Sequence, residues 1–373
     1  MTDFRATRIS PTGGQAVTVV SRKAAVTDWA LRYFGSWWSA VTVDPAEANG
    51  AVAAADVDPD QVEQMTAHVT AAGNPVETEF AGDWLLYRAD EDGVVAAAQP
   101  DSGLAYQWNP HTSRMVIAGR DEITVATAAA RLAREVVRGR LLADGWQILH
   151  ASAATRPDGA TVLALGDKGA GKTTVGFLLA RAGWRLLAND RIFVRVLDGR
   201  IRILPWPSAA AIGFGFLDSL GLYEPVRQRV LDGELMHPTQ HQRVTDALVA
   251  GDRTPLWKAS GKELKPQFFP DQLTTWLGMK LAVEGHAASI LFPSIQADAD
   301  PALTDTTRGV QTNDFFNAAT EDRYPDIFGL LPLTGLTPEL IRALDALPHQ
   351  AVVLGHDTAA ATAFLEKTTA RLL

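Results

Sequence analysis

The chain of 373 residues contains no cysteine. Disulfide bonds, thiolate nucleophiles and metal sites with cysteine ligands are therefore excluded, and a reducing compartment is compatible with this composition. No apolar run approaches the length of a membrane span, and the first stretch, "MTDFRATRISPTGG", lacks the apolar segment of a secretory signal. We therefore expect a cytoplasmic protein without a membrane partner.

Positive charge is in deficit, because the chain has 34 Lys and Arg but 43 Asp and Glu, which gives a formal net charge of -9. A nucleic-acid-binding surface has to neutralise a phosphate backbone, so we expect no nucleic-acid partner. The eight histidines share no ligand spacing with a carboxylate, which argues against a zinc enzyme. The remaining composition is typical of a globular protein, and the length accommodates two domains, each with its own core.

Residues 1–120 contain short apolar runs separated by turn signals. The pieces "DEDG" and "PDSG" lie between alternating runs, as hairpin turns do. A short helix is predicted near Asp58–Ala72, which starts with acidic residues and stops at Gly73. The pattern predicts a mostly antiparallel β domain. It carries no chemical motif, so we expect it to help select a substrate or to serve as a structural partner.

Residues 121–373 alternate helical and strand patterns and predict an α/β domain. A helix over Thr124–Ala143 is expected to open this domain. The runs "WQILHASAA" (146–154) and "ATVLALG" (160–166) predict a hairpin that leads into a glycine-rich loop. A short helix and the strands "WRLLAND" and "RIFVRVL" follow.

The glycine-rich loop matches the P-loop pattern at every specified position. Its residues are Gly166, Asp167, Lys168, Gly169, Ala170, Gly171, Lys172 and Thr173. Glycines let the backbone turn tightly, so that N–H groups at a helix start point at phosphate oxygens. Lys172 is predicted to reach the β- and γ-phosphates and the Thr173 hydroxyl to hold Mg²⁺. Thr174 is given a supporting role. The loop therefore predicts a nucleotide ligand.

An acidic residue follows the strand after this helix. Asp190 stands beside Asn189 at the carboxyl end of "WRLLAND", where Mg²⁺ or its water shell is expected in a P-loop domain. The same tripeptide, Asn-Asp-Arg, is also an ordinary polar turn between two strands. The position after a P-loop helix favours the metal interpretation, with Thr173 and Asp190 as the ligands.

The stretch "ILHASAATRPDGATVLALGDKGAGKTTVGFLLARAGWRLLANDR" resembles the catalytic core of HPr kinase/phosphorylase and of the wider group of HPr-kinase-like kinases. These kinases act on small molecules or peptides and are related in fold to phosphoenolpyruvate carboxykinase. The resemblance is strong over residues 145–200, weaker beyond them and absent from residues 1–120. It implies a C-terminal P-loop kinase domain of the HPr-kinase type, which uses ATP and Mg²⁺.

The resemblance also assigns roles to individual residues. His150 matches the family's histidine before the loop, Lys172 its loop lysine and Asp190 the second acid of an Asp-Asp pair. Asn189 stands where the family has its proposed proton acceptor, and an amide cannot take a proton from a hydroxyl at neutral pH. Three outcomes stay open: Asp190 does this work, His150 serves as the base, or the domain binds ATP without efficient transfer. His150 is equally well interpreted as a packed strand histidine.

The family also has a downstream cationic segment that clamps phosphates and substrate. The candidates here are Lys258, Lys262 and Lys265 in "LWKASGKELKPQFFP", together with Arg191. A solvated loop is the alternative interpretation of the lysines. The segment "PWPSAAAIGFGF" lies where the family's second signature falls but lacks its acid, so reverse phosphorylase activity is not expected.

The leading hypothesis is an ATP-dependent, Mg²⁺-requiring kinase that phosphorylates a hydroxyl of a small molecule or of a peptide Ser or Thr. GTP and pyrophosphate remain open as donors, and a homo-oligomer is compatible with the sequence. The alternative is a nucleotide-binding sensor or scaffold, and a carboxykinase-type reaction is a distant third. A second acidic site at Glu321, Asp322 and Asp326 competes with an ordinary exposed turn.

Overall fold

The protein is described by a computed structural model that covers residues 4–14, 16–35, 37–48, 50–71, 73–305, 308–316, 324–332 and 335–373. The chain divides into two compact units. One comprises Met1–Trp146 and Asn317–Gly335, and the other comprises Gln147–Phe316 and Leu336–Leu373. The division thus falls after residue 146, whereas the sequence analysis placed it after residue 120.

The first unit contains a nine-stranded sheet in the order β3-β1-β2-β4-β9-β8-β7-β6-β5. Its strands are β1 (Arg5–Ile9), β2 (Val17–Ser21), β3 (Val41–Val43), β4 (Ala51–Val57), β5 (Val76–Phe80), β6 (Asp83–Ala89), β7 (Val95–Gln99), β8 (Leu104–Asn109) and β9 (Arg114–Gly119). The pairs β2–β4 and β4–β9 are parallel, and the remaining neighbours in this order are antiparallel. The turns "DEDG" and "PDSG" join β6 to β7 and β7 to β8, as predicted.

Helices of the first unit pack on this sheet. They are α1 (Ala24–Phe34), α2 (Pro59–Ala71) and α3 (Glu122–Ala143), with a 3-10 turn at Pro45–Glu47. The carboxylates of Asp58 and Asp121 precede α2 and α3 and accept from the N–H of Gln61 (3.0 Å) and Thr124 (2.9 Å). Helix α3 contacts α1 and strands β2, β4 and β9. It therefore belongs to the first unit, because periodicity reveals a buried face but not the sheet that buries it.

A segment from later in the chain completes the first unit. The ring of Tyr324 lies 5.4 Å from the Phe80 ring, and the Arg131 guanidinium lies 4.6 Å from the centroid of the Tyr324 ring. The backbone of Leu330 approaches α3 so closely that a Cβ on Gly139 would lie 2.0 Å from the Leu330 oxygen. Gly139 is therefore required by a backbone contact between positions far apart in sequence.

The second unit contains a ten-stranded sheet and two small hairpins. The large sheet consists of β10 (Gln147–Leu149), β11 (Ser152–Thr155), β12 (Ala160–Ala164), β13 (Arg185–Ala188), β14 (Ile192–Leu197), β15 (Arg200–Pro205), β20 (Lys280–Leu281), β21 (Gly285–Ile295), β22 (Ala302–Thr304) and β23 (His349–Leu354). The two small sheets pair β16 (Ala210–Ala211) with β19 (Gln267–Phe268), and β17 (Leu256–Trp257) with β18 (Glu263–Leu264). The main strand order is β10-β14-β15-β21-β12-β11-β13-β20, with β23 beside β21 and β22 beside β23.

Helices cover both faces of this large sheet. They are α4 (Lys172–Arg181), α5 (Phe214–Ser219), α6 (Tyr223–Leu231), α7 (Gln242–Ala250), α8 (Pro270–Thr275), α9 (Pro338–Asp345) and α10 (Thr358–Leu372), with a 3-10 turn at Thr312–Asp314. Along β12, Val162 and Ala164 pack in the core cluster of α4 and α10, whereas Leu163 packs in the cluster of α9. Neighbouring residues of a strand point to opposite faces, so the second unit has helix, sheet and helix layers. The protein is a mixed α/β molecule with large sheets.

Three parallel strands define one edge of the second unit. Strand β12 is parallel to β21, and β21 is parallel to β23. Their carboxyl ends therefore lie at the same edge of the sheet. The glycine-rich loop follows β12, and a second loop begins at Gly355 after β23. In α/β sheets, the crevice outside the carboxyl ends of the strands is the usual place for a ligand.

The predicted strand over 146–154 is wrong in one respect. It is divided into β10, which pairs with β14, and β11, which pairs with β12 and β13. His150 lies between the two pieces, and its N–H donates to the carbonyl of Asp314 (2.7 Å). The chain thus changes its neighbours within a continuous apolar run, which local sequence cannot reveal because both pieces are buried.

Substitution of Gly139 by alanine tests the close contact between α3 and Leu330. The new methyl group would overlap the Leu330 carbonyl, so we expect the free energy of unfolding to fall by about 1–3 kcal/mol in a urea titration. Gly215 is the matched control, since it is also helical and a Cβ there meets no atom within 4 Å. Gly215→Ala should leave stability unchanged or raise it by up to about 1 kcal/mol. Equal effects of the two substitutions would contradict the contact.

Candidate functional site

The glycine-rich loop adopts a backbone that its glycines permit. Gly166, Gly169 and Gly171 have φ values of 149°, 89° and 104°, which residues with a side chain rarely adopt. Within the loop, the Ala170 N–H donates to the Asp167 carbonyl (3.1 Å). The sequence prediction of a tight glycine turn between β12 and α4 therefore agrees with the observed backbone.

Gly171 also allows a close approach to the neighbouring strand. A Cβ built on Gly171 would lie 2.7 Å from Cδ1 of Ile295, the last residue of β21. Gly171 is the N-cap of α4 and has no side chain with which to cap the helix. The first N–H groups of α4 are thus available to an anionic ligand, and the helix dipole favours negative charge there.

Lys172, the first residue of α4, folds back over the loop. Its Nζ donates to the carbonyl oxygens of Gly166 (2.6 Å) and Asp167 (3.0 Å). Burial lowers the pKa of Lys172 from its ordinary value, while the carboxylates of Asp190, Asp314 and Asp167 oppose this shift. The ammonium group therefore sits in a partly desolvated position at the centre of the loop, with acidic side chains around it.

The next residue of α4, Thr173, faces the end of β13. Its hydroxyl donates to the Asn189 carbonyl (3.2 Å), so the loop helix and the "ND" pair meet at this edge of the sheet. Asn189 is 7% exposed, and its Oδ1 has no hydrogen-bond partner among the residues that the structure describes. A buried acceptor without a partner is costly and marks a place where a ligand or water can donate.

The acid of this pair, Asp190, is open to solvent. Its side chain is 56% exposed, and its Oδ2 lies 3.6 Å from Nε of Arg191. The Arg191 guanidinium lies 4.6 Å from the Phe316 ring and 5.7 Å from the Trp206 ring. Asp190 thus retains a free face for a cation or a hydroxyl proton, while aromatic rings orient Arg191.

Two functional candidates were missed by the sequence analysis. Arg308 and Asp314 follow strand β22 and act, as charges, on the pKa of Lys172. The two η nitrogens of Arg308 each donate to one carboxylate oxygen of Asp314 (both 2.7 Å), and this hydrogen bonding raises the pKa of Arg308. The segment "RGVQTNDFF" carries no motif, so only the fold brings this ion pair to the loop.

Asp314 is fixed from several directions. It is 5% exposed, and Oδ2 also accepts from the Gln311 N–H (2.8 Å). Its backbone carbonyl accepts from His150, and the neighbouring residue Phe315 forms an isolated bridge to Leu149. The carboxylate is committed to holding Arg308, which leaves the guanidinium as a second oriented cation near Lys172.

His150 lies at the junction between β10 and β11. Its ring centroid is 5.8 Å from that of Phe316, and its backbone is bonded to Asp314 as described above. The structure therefore places His150 beside the segment that carries the ion pair. Packing against Phe316 is compatible with both interpretations of this histidine, the packed strand residue and the base.

The predicted cationic segment lies on the small β17–β18 hairpin. Lys258 donates its N–H to the Lys262 carbonyl (2.9 Å), and Nζ of Lys265 lies 3.0 Å from Glu263. Both Lys258 and Lys262 are exposed. The principal charges acting on the Lys172 pKa come from other residues, so contact between this hairpin and the loop stays a prediction.

The remaining candidates have simpler environments. Lys168 is exposed on the loop, and Thr174 borders a cavity on the other side of α4. The Asp326 carboxylate accepts from the N–H groups of Leu330 (2.8 Å) and Leu331 (2.7 Å), as an ordinary turn residue does. Glu321 and Asp322 lie outside the described residues.

The described residues contain neither a cluster of metal-ligand side chains nor a helix that could span a membrane. No group of three or more His, Cys, Asp or Glu side chains is arranged to hold a metal ion. A Mg²⁺ ion in phosphoryl transfer commonly uses one or two carboxylates together with substrate phosphates and needs no such group of three. None of the described helices is both long and apolar enough to cross a membrane.

The chain is similar to a solved kinase/phosphatase structure at low sequence identity. No protein-family model matches the chain, and no curated protein matches it. Among solved structures, the chain is similar to the HPr(Ser) kinase/phosphatase from Coxiella burnetii, with 10% sequence identity and a TM-score of 0.25. This similarity covers 60% of the present chain and 92% of the other.

Removal of the Arg308 guanidinium tests its pairing with Asp314. Arg308→Leu leaves a buried carboxylate without its cation, so we expect the free energy of unfolding to fall by about 3 kcal/mol. That value is the low end for buried pairs, because the Arg308 side chain is 25% exposed. The double variant Arg308→Leu with Asp314→Asn should recover much of the loss in urea unfolding. If the double variant loses as much as the sum of the single variants, the pair contributes no coupling.

Proposed function

We propose that the protein is a Mg²⁺-dependent kinase that transfers the γ-phosphate of ATP to a hydroxyl group. The observation that carries this proposal is the arrangement of Lys172, which crosses a positive-φ glycine loop at the uncapped start of α4. Backbone N–H groups, a helix dipole and an ammonium group converge there, as a polyphosphate requires.

Lys172 and Arg308 would bind and neutralise the phosphates. In the structure, Nζ of Lys172 donates to the two loop carbonyls given above, and these are weaker partners than phosphate oxygens. Arg308 is oriented by Asp314, so its guanidinium loses little conformational freedom on binding. Two cations near one phosphate group would stabilise the charge of the transferring phosphoryl group.

Thr173 and Asp190 fit a magnesium site. Both provide oxygen ligands, both lie at the junction of α4 and β13, and Asp190 is exposed enough to accept a hydrated ion. A Mg²⁺ ion held by these two residues would supply positive charge that offsets the negative charge of the phosphates. Asp190 would hold the ion from the strand side, while Thr173 would redirect its hydroxyl from the Asn189 carbonyl.

The acceptor hydroxyl would approach Asn189 and Asp190. The unpartnered Oδ1 of Asn189 can accept a hydrogen bond from the hydroxyl and orient it, although an amide cannot take the proton. Asp190 is the carboxylate next to it, and His150 is the alternative base. Because the transition state of phosphoryl transfer is loose, orientation and charge neutralisation supply most of the rate, and a strong base is not essential.

The acceptor class follows from the site and the composition. A net charge of -9 disfavours a nucleic-acid acceptor, so a small molecule or a peptide Ser or Thr is proposed. The first unit would help to select this acceptor. In the second unit, the acceptor is proposed to contact Arg191, Lys258 and Lys262. GTP or pyrophosphate in place of ATP would use the same phosphate contacts.

The loss of one ammonium group tests the phosphate site. Lys172→Ala should weaken binding of ATP with Mg²⁺ by about tenfold to a hundredfold in calorimetry, because a charge-assisted contact to phosphate is removed. Lys367→Ala is the matched control, since Lys367 is an exposed lysine of α10 in the same unit. Equal affinities of the wild type and Lys172→Ala would overturn the proposed site.

A second candidate function is a sensor that binds nucleotide without efficient transfer. The amide at Asn189, where a carboxylate would serve as proton acceptor, favours this alternative. Asn189→Asp distinguishes the two functions, because a restored carboxylate should raise phosphorylated product from labelled ATP and a panel of hydroxyl compounds by about tenfold or more. Asn189→Ala is the control and should give no increase. If neither the wild type nor Asn189→Asp yields product with any acceptor while both bind ATP, the sensor is the better account.

A further inference from the structure

A cavity of about 270 Å³ lies beside the start of α4. Thr174 and Leu178 line it from α4, since residues four apart share a helix face. Phe216 of α5 and Ile295 at the end of β21 supply further apolar wall. The consecutive threonines of the loop helix thus serve different surroundings: Thr173 faces β13, and Thr174 faces the cavity.

The cavity shares a wall with the glycine-rich loop. Ile295 lines the cavity and is also the side chain against which Gly171 packs. A molecule whose phosphates lie on the loop therefore has an apolar space one side-chain thickness away. The distance from triphosphate to base in a nucleotide is bridged by one sugar, which suits this neighbouring position.

The second loop at this edge lines part of the cavity. Gly355 and His356 follow β23 and line the cavity, and the His356 N–H donates to the Ala297 carbonyl (3.2 Å). A Cβ on Gly355 would lie 2.1 Å from the Ala299 oxygen, so the loop lies tightly against the segment that follows β21. Thr358 donates its hydroxyl to the Ser219 carbonyl (2.8 Å), which ties α10 to α5.

Two helices begin at this edge, and they differ in whether a carboxylate caps their first N–H groups. The start of α4 has no capping side chain, whereas the Asp357 carboxylate caps α10 by accepting from the N–H groups of Ala359 and Ala360 (both 2.9 Å). A phosphate is therefore favoured at α4 and disfavoured at α10. The cavity lies between them and is suited to the uncharged part of the same ligand.

We infer that this cavity receives the nucleobase of the nucleotide whose phosphates bind the glycine-rich loop. This inference rests on the proposed function, because it takes the phosphate site as given. The Phe216 ring and the Leu178 and Ile295 side chains supply apolar surface for a planar base, while the Thr174 hydroxyl and the His356 ring can hydrogen-bond its edge.

Filling the cavity from Gly215 tests the inference. Gly215 lines the cavity in α5, and a Cβ there meets no atom within 4 Å, so Gly215→Leu adds bulk without a backbone clash. Calorimetry with Mg²⁺ would compare ATP with inorganic tripolyphosphate, which has no base. We expect the wild type to bind ATP about tenfold or more tightly than tripolyphosphate, and Gly215→Leu to lose this preference while its tripolyphosphate affinity is unchanged.

The controls distinguish the effect of a large side chain in the cavity from the effect of a large side chain elsewhere in the protein. Gly215→Ala adds one methyl group at the same position and should keep most of the preference for ATP. Gly335→Leu adds the same side chain in the other unit, where a Cβ also meets no atom within 4 Å, and should change neither affinity. Should Gly215→Leu fail to fold, Phe216→Leu and His356→Ala replace it, each with an expected fall in the preference for ATP.

The outcomes distinguish this inference from the proposed function. If the wild type binds tripolyphosphate as tightly as ATP, or if Gly215→Leu weakens both ligands equally, the nucleobase inference is overturned and the phosphate site stands. An unchanged preference in both Phe216→Leu and His356→Ala also overturns it. If the wild type binds neither ligand, the proposed function fails, and the inference fails with it.

Discussion

The contact between Gly171 and Ile295 is the constraint on which the site depends. The loop after β12 lies against the end of β21 because the position nearest that strand has no side chain, and its φ of 104° suits glycine. This approach sets where α4 begins, and with it the direction of the helix dipole. Ile295 also separates the loop from the neighbouring cavity. One close contact therefore positions the proposed phosphate site and the space beside it.

The charges around the loop comprise two cations, Lys172 and Arg308, and the three carboxylates that act on Lys172. Lys172 is held by loop carbonyls and lies among three carboxylates, and Arg308 is held by Asp314. Burial lowers the pKa of Lys172, because partial desolvation disfavours its charged form. An incoming polyphosphate would exchange carbonyl partners for stronger anionic ones and bring a further counter-charge for the two cations. Lys172 and Arg308 are thus the two cations that would contact the proposed polyphosphate.

Asn189 is the residue that distinguishes the two proposed functions, a kinase and a nucleotide-binding sensor. Its backbone carbonyl accepts from Thr173, and its buried Oδ1 has no partner among the described residues. An amide in this place can orient a hydroxyl but cannot remove its proton. A kinase at this site would therefore draw its rate from orientation and charge stabilisation, with Asp190 as the adjacent carboxylate, whereas a sensor would need only the phosphate contacts.

The sequence by itself determined the local features, namely the glycine loop before α4, the strand that directly precedes Asn189 and Asp190, and the "DEDG" and "PDSG" turns. Each of these depends on residues close in the chain. Only the tertiary structure decided that α3 packs in the first unit, that the run containing His150 divides between different strands, and that the charges of Arg308 and Asp314 act on Lys172. Those arrangements depend on which buried surfaces meet over long sequence separations, and burial leaves the same apolar pattern whichever partner covers it.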